Sequence, residues 1–167
     1  MAVSTEAVKE LRDLTGAGIL DCKKALEEAG GEVEKAKETL RRRGIAIAEK
    51  KAAEETRQGL VESYVHADGR LGALVELNCQ TDFVARTDEF QALAHDLAMQ
   101  VAATDPQYVA PEELPAGSDG DPQQLCLLAQ PFIRDPGRNV QDLINDVIAK
   151  TGENIRVRRF ARFHLGR

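Results

Sequence analysis

The sequence predicts an α+β fold: a three-helix N-terminal module, then a three-stranded antiparallel sheet covered by helices. Apolar residues recur at helical spacing as far as Leu40, then alternate in period two on either side of an Asp68-Gly69 turn, and alternate again near the C-terminus. A hairpin plus one returning strand, with helical stripes between them, suits a sheet that buries one face under helices.

Each element has its own signal. Residues 4–15 form the first predicted helix: Ser4 or Thr5 caps it, and Ala7, Val8, Leu11 and Leu14 share a face. Gly16-Ala17-Gly18 breaks it. Ile19, Cys22, Leu26 and Ala29 mark a second helix that stops at Gly30-Gly31, and Val33, Ala36 and Leu40 a third. Helices this short are not stable alone in water, so they must pack on one another, giving a module over residues 1–45. Residues 46–58, rich in Ala, Lys and Glu, read as a helical or semi-flexible linker, and residues 59–167 as the α+β core. There Val61, Ser63 and Val65 alternate with Glu62, Tyr64 and His66. Asp68-Gly69 turns the chain, and Leu71, Ala73, Val75, Leu77 and Cys79 line one face of the returning strand.

After Thr81–Arg86, Thr87 caps a long helix whose stripe is Phe90, Leu93, Ala94, Leu97, Ala98 and Val101. Four prolines and two glycines make residues 104–122 an irregular surface loop. Leu125 to Leu128 is a short apolar turn, interrupted by Pro131 and Pro136. A helix through Val140, Leu143, Ile144, Val147 and Ile148 ends near Gly152. The last strand is expected to place Ile155, Val157, Ala161, Phe163 and Leu165 on one face and Arg156, Arg158, Arg162 and His164 on the other.

Composition excludes several classes of function. The formal net charge is -6, so the chain lacks the basic footprint of a nucleic-acid wrapper, and direct nucleic-acid binding is not expected. Three widely spaced cysteines, Cys22, Cys79 and Cys126, form neither a disulfide framework nor a zinc pattern and suit a reducing cytoplasm. The polar start does not read as a signal peptide, and no apolar run is long enough for a membrane span. No histidine has a ligand partner at i+3 or i+4, no phosphate-loop motif occurs, and no serine or cysteine sits in a nucleophile context. Neither a metal, a cofactor nor an enzymatic reaction is expected. The chain reads instead as a protein that grips another protein.

Two segments invite a functional reading. Thr15-Gly16-Ala17-Gly18-Ile19 reads as a tight interhelical turn rather than a phosphate cradle. Thr81-Asp82-Phe83-Val84 follows a buried strand directly. Thr81 caps a helical turn and Asp82 suits its positive end, while Phe83 fits either a wedge or a core residue; the residues alone leave those two open. The arginines at 41–43 and 156–159 are explained by a helix end and by a solvated or partner-facing sheet face.

Several stretches together resemble the bacterial elongation factor Ts family. They are Val8–Arg12 with Thr15–Leu26; Glu76-Leu77-Asn78-Cys79-Gln80-Thr81-Asp82-Phe83-Val84-Ala85-Arg86; Gln130–Ile133; and Gly152-Glu153-Asn154-Ile155-Arg156-Val157-Arg158-Arg159. They occur in order from near residue 4 to 165, and only residues 104–122 lack a counterpart. The resemblance implies a guanine-nucleotide exchange factor for elongation factor Tu, with a ubiquitin-associated-like (UBA-like) N-terminal bundle that docks on the partner's GTPase domain. The matching contact positions are Leu11, Ile19, Leu20 and Lys23. Thr81, Asp82, Phe83 and Val84 match the element that intrudes between two helices of that domain and disturbs its magnesium site. The chain has one sheet-bearing unit where longer members have two, which implies a homodimer with its sheets packed together. The rival reading is a UBA-type adaptor that acts through the N-terminal module alone.

Overall fold

In the computed structural model, which describes residues 3–167, Ser4 opens the first helix by accepting a hydrogen bond from the Ala7 amide at 3.1 Å. This helix, α1 (Thr5–Thr15), ends at Gly16, whose φ of +65° is the left-handed conformation that glycine adopts without a steric cost. Helix α2 (Ile19–Glu28) and helix α3 (Val33–Lys51) complete the module around a small core of Leu11, Cys22, Ala25, Leu26 and Ala36. Helix α3 does not stop at residue 45. It continues to Lys51, and Ile47 and Ala48 pack against the main core.

The sheet holds β1 (Gln58–Val65), β2 (Leu71–Cys79) and β5 (Arg156–His164) in the order β1-β2-β5, both pairings antiparallel. Gly59 in β1 is required by a close approach: at φ +146°, a Cβ there would lie 2.1 Å from the Leu77 carbonyl oxygen. Ala73, Val75, Leu77 and Cys79 form the buried face of β2 as the alternation predicts. On β1 the partly buried residues are Leu60, Glu62 and Tyr64, while Val61 and Val65 point outward.

The last strand departs from its expected pattern. Leu77 pairs with Val157 but Glu76 pairs with Arg159, so Arg158 is an extra residue that shifts the register. One inserted residue reverses the facing of everything beyond it. Val157 faces the helices, as expected. Ala161, Phe163 and Leu165 do not join it: all three are exposed, while Phe160, Arg162 and His164 turn to the covered side. Arg162 is accommodated there because its Nε donates to the Ala102 carbonyl at 2.9 Å and its guanidinium meets Asp105 at 3.3 Å. The outer face is left with exposed Val61, Val65, Leu74, Phe163 and Leu165.

Helix α5 (Asp88–Thr104) covers the inner face, after the single-turn helix α4 (Asp82–Ala85), and helix α7 (Val140–Thr151) packs against α5 and α3. The loop after α5 carries a 3-10 turn at Pro111–Glu113 and the short α6 (Pro122–Leu125). It is pinned where the Tyr108 and Val109 carbonyls accept from the Leu127 and Leu128 amides. Pro131 and Pro136, expected only as interruptions, stand in a small second sheet of β3 (Pro131–Phe132) and β4 (Asp135–Asn139). The fully buried Gln100 of α5 holds it: its side-chain amide donates to the Pro131 carbonyl at 3.1 Å and accepts from the Ile133 amide at 2.9 Å.

Module and core are joined through α3 and α7. Asn139 and Asp142 form a capping box at the start of α7. The buried Asp142 carboxylate also takes a two-pronged contact from Arg41 of α3, with Nη2 at 3.1 and 3.3 Å from its two oxygens. Asp142→Ala removes the carboxylate half of the capping box and the ion pair together, while the Asn139 cap is kept. It is expected to lower the unfolding free energy by about 2–4 kcal/mol in urea titration. Lys35→Ala, which breaks an exposed 2.7 Å pair with Glu32, is expected to cost less than about 1 kcal/mol.

All three cysteines are free and buried. Burial, then the nearby Glu153 charge, pushes the Cys79 thiol up to about 11 from an ordinary 9.0. The unfolded thiol ionises first as pH rises. The contribution of Cys79 to stability is therefore complete below about pH 9 and lost as pH rises toward about 11. Unfolding free energies measured from pH 8 to 11 are expected to fall more steeply for the native chain than for Cys79→Ala.

Candidate partner-binding surface

Strand β2 ends at Cys79, whose thiol donates to the Thr81 carbonyl at 3.1 Å. Thr81 is extended, and its hydroxyl oxygen accepts from the Val84 amide at 3.4 Å, which starts α4. The Glu153 carboxylate closes over this corner. One oxygen accepts from the Gln80 and Thr81 amides at 3.1 and 3.0 Å, and the other from the Thr81 hydroxyl at 2.6 Å. Thr87 ends the turn: its hydroxyl donates to the Val84 carbonyl and accepts from the Phe90 amide, so one residue closes α4 and caps α5.

Helical geometry then separates the side chains of α4. Ala85 is buried and Val84 packs on the main core, while Phe83 points away, 78% exposed. The two readings of Phe83 left open by the sequence are thereby separated: Phe90 fills the core position with no exposed surface, and Phe83 fills none. Asp82 is half-exposed and pairs with Arg86 one turn later at 2.9 Å. The turn thus offers a large apolar side chain and a carboxylate.

The module offers a second apolar surface. Ile19 and Leu20 open α2 and are 56% and 72% exposed. Lys23, one turn on, is exposed and lies 3.9 Å from Glu27. Leu11 is different. It has no exposed surface and belongs to the module core, so it supports the contact face from beneath rather than presenting itself to a partner. Leu14, which the helical stripe groups with Leu11, is 56% exposed. The Thr15–Gly18 turn joins α1 to α2. That turn is closed locally: the Thr15 hydroxyl donates to the Leu11 carbonyl and accepts from the Ala17 amide.

Two histidines make polar side-chain contacts elsewhere on the chain. The Tyr64 hydroxyl lies 3.0 Å from His66 Nδ1, and His95 Nδ1 lies 3.5 Å from Glu62. Among the described residues no group of three or more His, Cys, Asp or Glu side chains is placed to hold a metal ion, and no helix is long and apolar enough to cross a membrane.

Comparison with known proteins matches these features to one family. The family model described as Elongation factor TS matches residues 2–118. The elongation factor Ts of Thermotoga petrophila is 50% identical, with 99% of this chain and 98% of the relative aligned. Those of Thermotoga maritima (50% identical, 99% and 98% covered) and Carboxydothermus hydrogenoformans (47% identical, 98% and 89% covered) are similar to the same extent. With the exposed Phe83 turn and the three-helix module inside the family model, and 99% of the chain aligned with a 50% identical relative, the chain belongs to the elongation factor Ts family.

Proposed function

We propose that the Thr81-Asp82-Phe83-Val84 turn is the element by which this chain releases GDP from elongation factor Tu, and that Ile19, Leu20 and Lys23 anchor it on the GTPase domain. Nucleotide exchange on elongation factor Tu in translation elongation is the function of the family and of this chain; the assignment of its parts to these residues is ours. One observation carries it: a Phe side chain 78% exposed at the tip of a turn whose backbone is held on the core side. Exposed aromatics on a rigid frame are the side chains that dominate protein interfaces.

Exchange needs no bond chemistry in this chain. A factor that binds the nucleotide-free partner more tightly than the nucleotide-bound one weakens nucleotide binding by the same ratio. The Mg²⁺ ion is the largest local charge beside the bound phosphates, so a small displacement of the helices around it loosens the nucleotide. Phe83 supplies the volume for that displacement and Asp82 the polar contact. Ile19 and Leu20 of the module raise the local concentration of the turn at its target. The site of action is the cytoplasm, where elongation occurs. No feature of the structure favours an adaptor that uses the module alone.

The same reading includes a homodimer. The outer sheet face carries Val65, Gly72 and Phe163 as one cross-strand row and Ser63, Leu74 and Ala161 as the next, with Val61 beside them. A second copy stacked on this face, at the ~10 Å spacing of packed sheets, would bury these side chains.

Phe83→Ala is expected to slow release of labelled GDP from elongation factor Tu by about tenfold or more at saturating chain. Its unfolding midpoint should stay within the range of a surface change, about 0.5 kcal/mol. Leu20→Ala is expected to raise the half-saturating concentration while the maximal rate is kept. Unchanged release by Phe83→Ala would remove the turn from the mechanism. Phe163→Glu, on the outer face, is expected to give a folded monomer by sedimentation where the native chain sediments as a dimer.

A further inference from the structure

The Gly152-Glu153-Asn154 turn between α7 and β5 has no part in the mechanism above, yet it touches both the Thr81 corner and the chain just past the end of α3. The β1–β2 ladder ends at Gln58–Cys79 and the β2–β5 ladder at Asn78–Arg156. The Gln80 and Thr81 amides therefore leave the sheet with no strand partner, and backbone donors in such a place need an acceptor. Glu153 supplies it for both. Its second oxygen takes the Thr81 hydroxyl proton at 2.6 Å, which orients the hydroxyl so that a lone pair faces the Val84 amide. The carboxylate thus sets the cap that starts the turn carrying Phe83.

The next residue extends the connection. The Asn154 amide donates to the Gln80 side-chain oxygen at 2.8 Å, and its own side chain, nearly fully buried, donates to the Glu54 carbonyl at 2.7 Å and the Ala52 carbonyl at 3.4 Å. Those carbonyls lie just past the end of α3, the helix that begins in the module. A continuous hydrogen-bonded path therefore runs from the module helix through Asn154 and Glu153 to Thr81 and the Phe83 turn.

We propose that Glu153 is a positioning residue for nucleotide exchange: it touches no partner atom, and it holds Phe83 at the angle at which the turn displaces the GTPase helices. This rests on the reading of Phe83 as the displacing side chain. Its role is in the rate at which a bound factor releases nucleotide, not in how tightly the module docks.

The test uses full-length chain and elongation factor Tu loaded with labelled GDP. The plateau release rate, the half-saturating concentration and the melting temperature are measured for Glu153→Gln, Thr81→Val, Phe83→Ala and the double variants with Phe83→Ala. Glu153→Gln keeps the side-chain size but faces the Thr81 corner with a donor or a single uncharged acceptor. It is expected to lower the plateau about tenfold and to move the half-saturating concentration less than about twofold. Thr81→Val, which deletes the hydroxyl at constant size, is expected to lower the plateau in the same way. In the Phe83→Ala background either change should add less than about twofold, because the side chain being positioned is gone. An unchanged plateau for both single variants, or full multiplicative effects on top of Phe83→Ala, overturns the proposal while leaving the role of Phe83 intact. So does a rise in half-saturating concentration with the plateau preserved. If Phe83→Ala itself leaves release unchanged, the wedge reading falls and this proposal with it.

Discussion

The Phe83 turn depends on the way β2 leaves its sheet. At the end of a central strand, two amides lose their ladder partners just where the chain must reverse into a helix. Burying such donors without an acceptor costs about 1–3 kcal/mol each. The Glu153 carboxylate accepts both, together with the Thr81 hydroxyl, and so one side chain converts a strand end into a defined corner. With the backbone held there, Ala85 and Val84 take the core side, and Phe83 is left on the solvent side. An exposed Phe is unfavourable by its own hydration. It is retained outside because the inner positions are occupied, by Phe90 above all.

A surface made of two distant patches works only if their spacing is kept. Helix α3 does this by crossing from the module into the core without a break. The Arg41–Asp142 contact and the packing of Ile47 and Ala48 fix it against α7 and the sheet. A freely jointed linker would lose most of the benefit of linking the two patches, since effective concentration falls with the range of positions sampled. On the proposed reading of the two patches, the rigid crossing is what converts affinity of the module into displacement by the turn.

Much of this was legible in the residues. Caps were visible as Ser4, Thr81 and Thr87, each of which accepts from the amide three residues on. The buried face of β2 followed from strict alternation. What escaped the reading depends on partners remote in sequence. The bulge at Arg158 is a matter of pairing with Glu76 and Leu77, and nothing local in Arg156–Phe163 marks it. As a result Ala161, Phe163 and Leu165, expected on the face of Val157, stand on the opposite one. Leu11 and Leu20 are both apolar helical residues near the same turn, and only packing shows that one is core and the other surface. Gln100, Asp142 and Glu153 were passed over because a polar residue on a helix or in a turn gives no sign of the backbone groups it will meet. The helical character of the linker is borne by α3 as far as Lys51, and Gly44 is accommodated in mid-helix by packing on α7 rather than by local propensity.

The central claim is that this chain, with its turn held outward, favours the empty GTPase over the loaded one. Calorimetric binding of the full chain to elongation factor Tu, once stripped of nucleotide and once saturated with GDP and Mg²⁺, tests it most directly. The account predicts much tighter binding to the stripped form, by the same ratio by which the chain weakens GDP binding. Equal affinity for the two forms would contradict it.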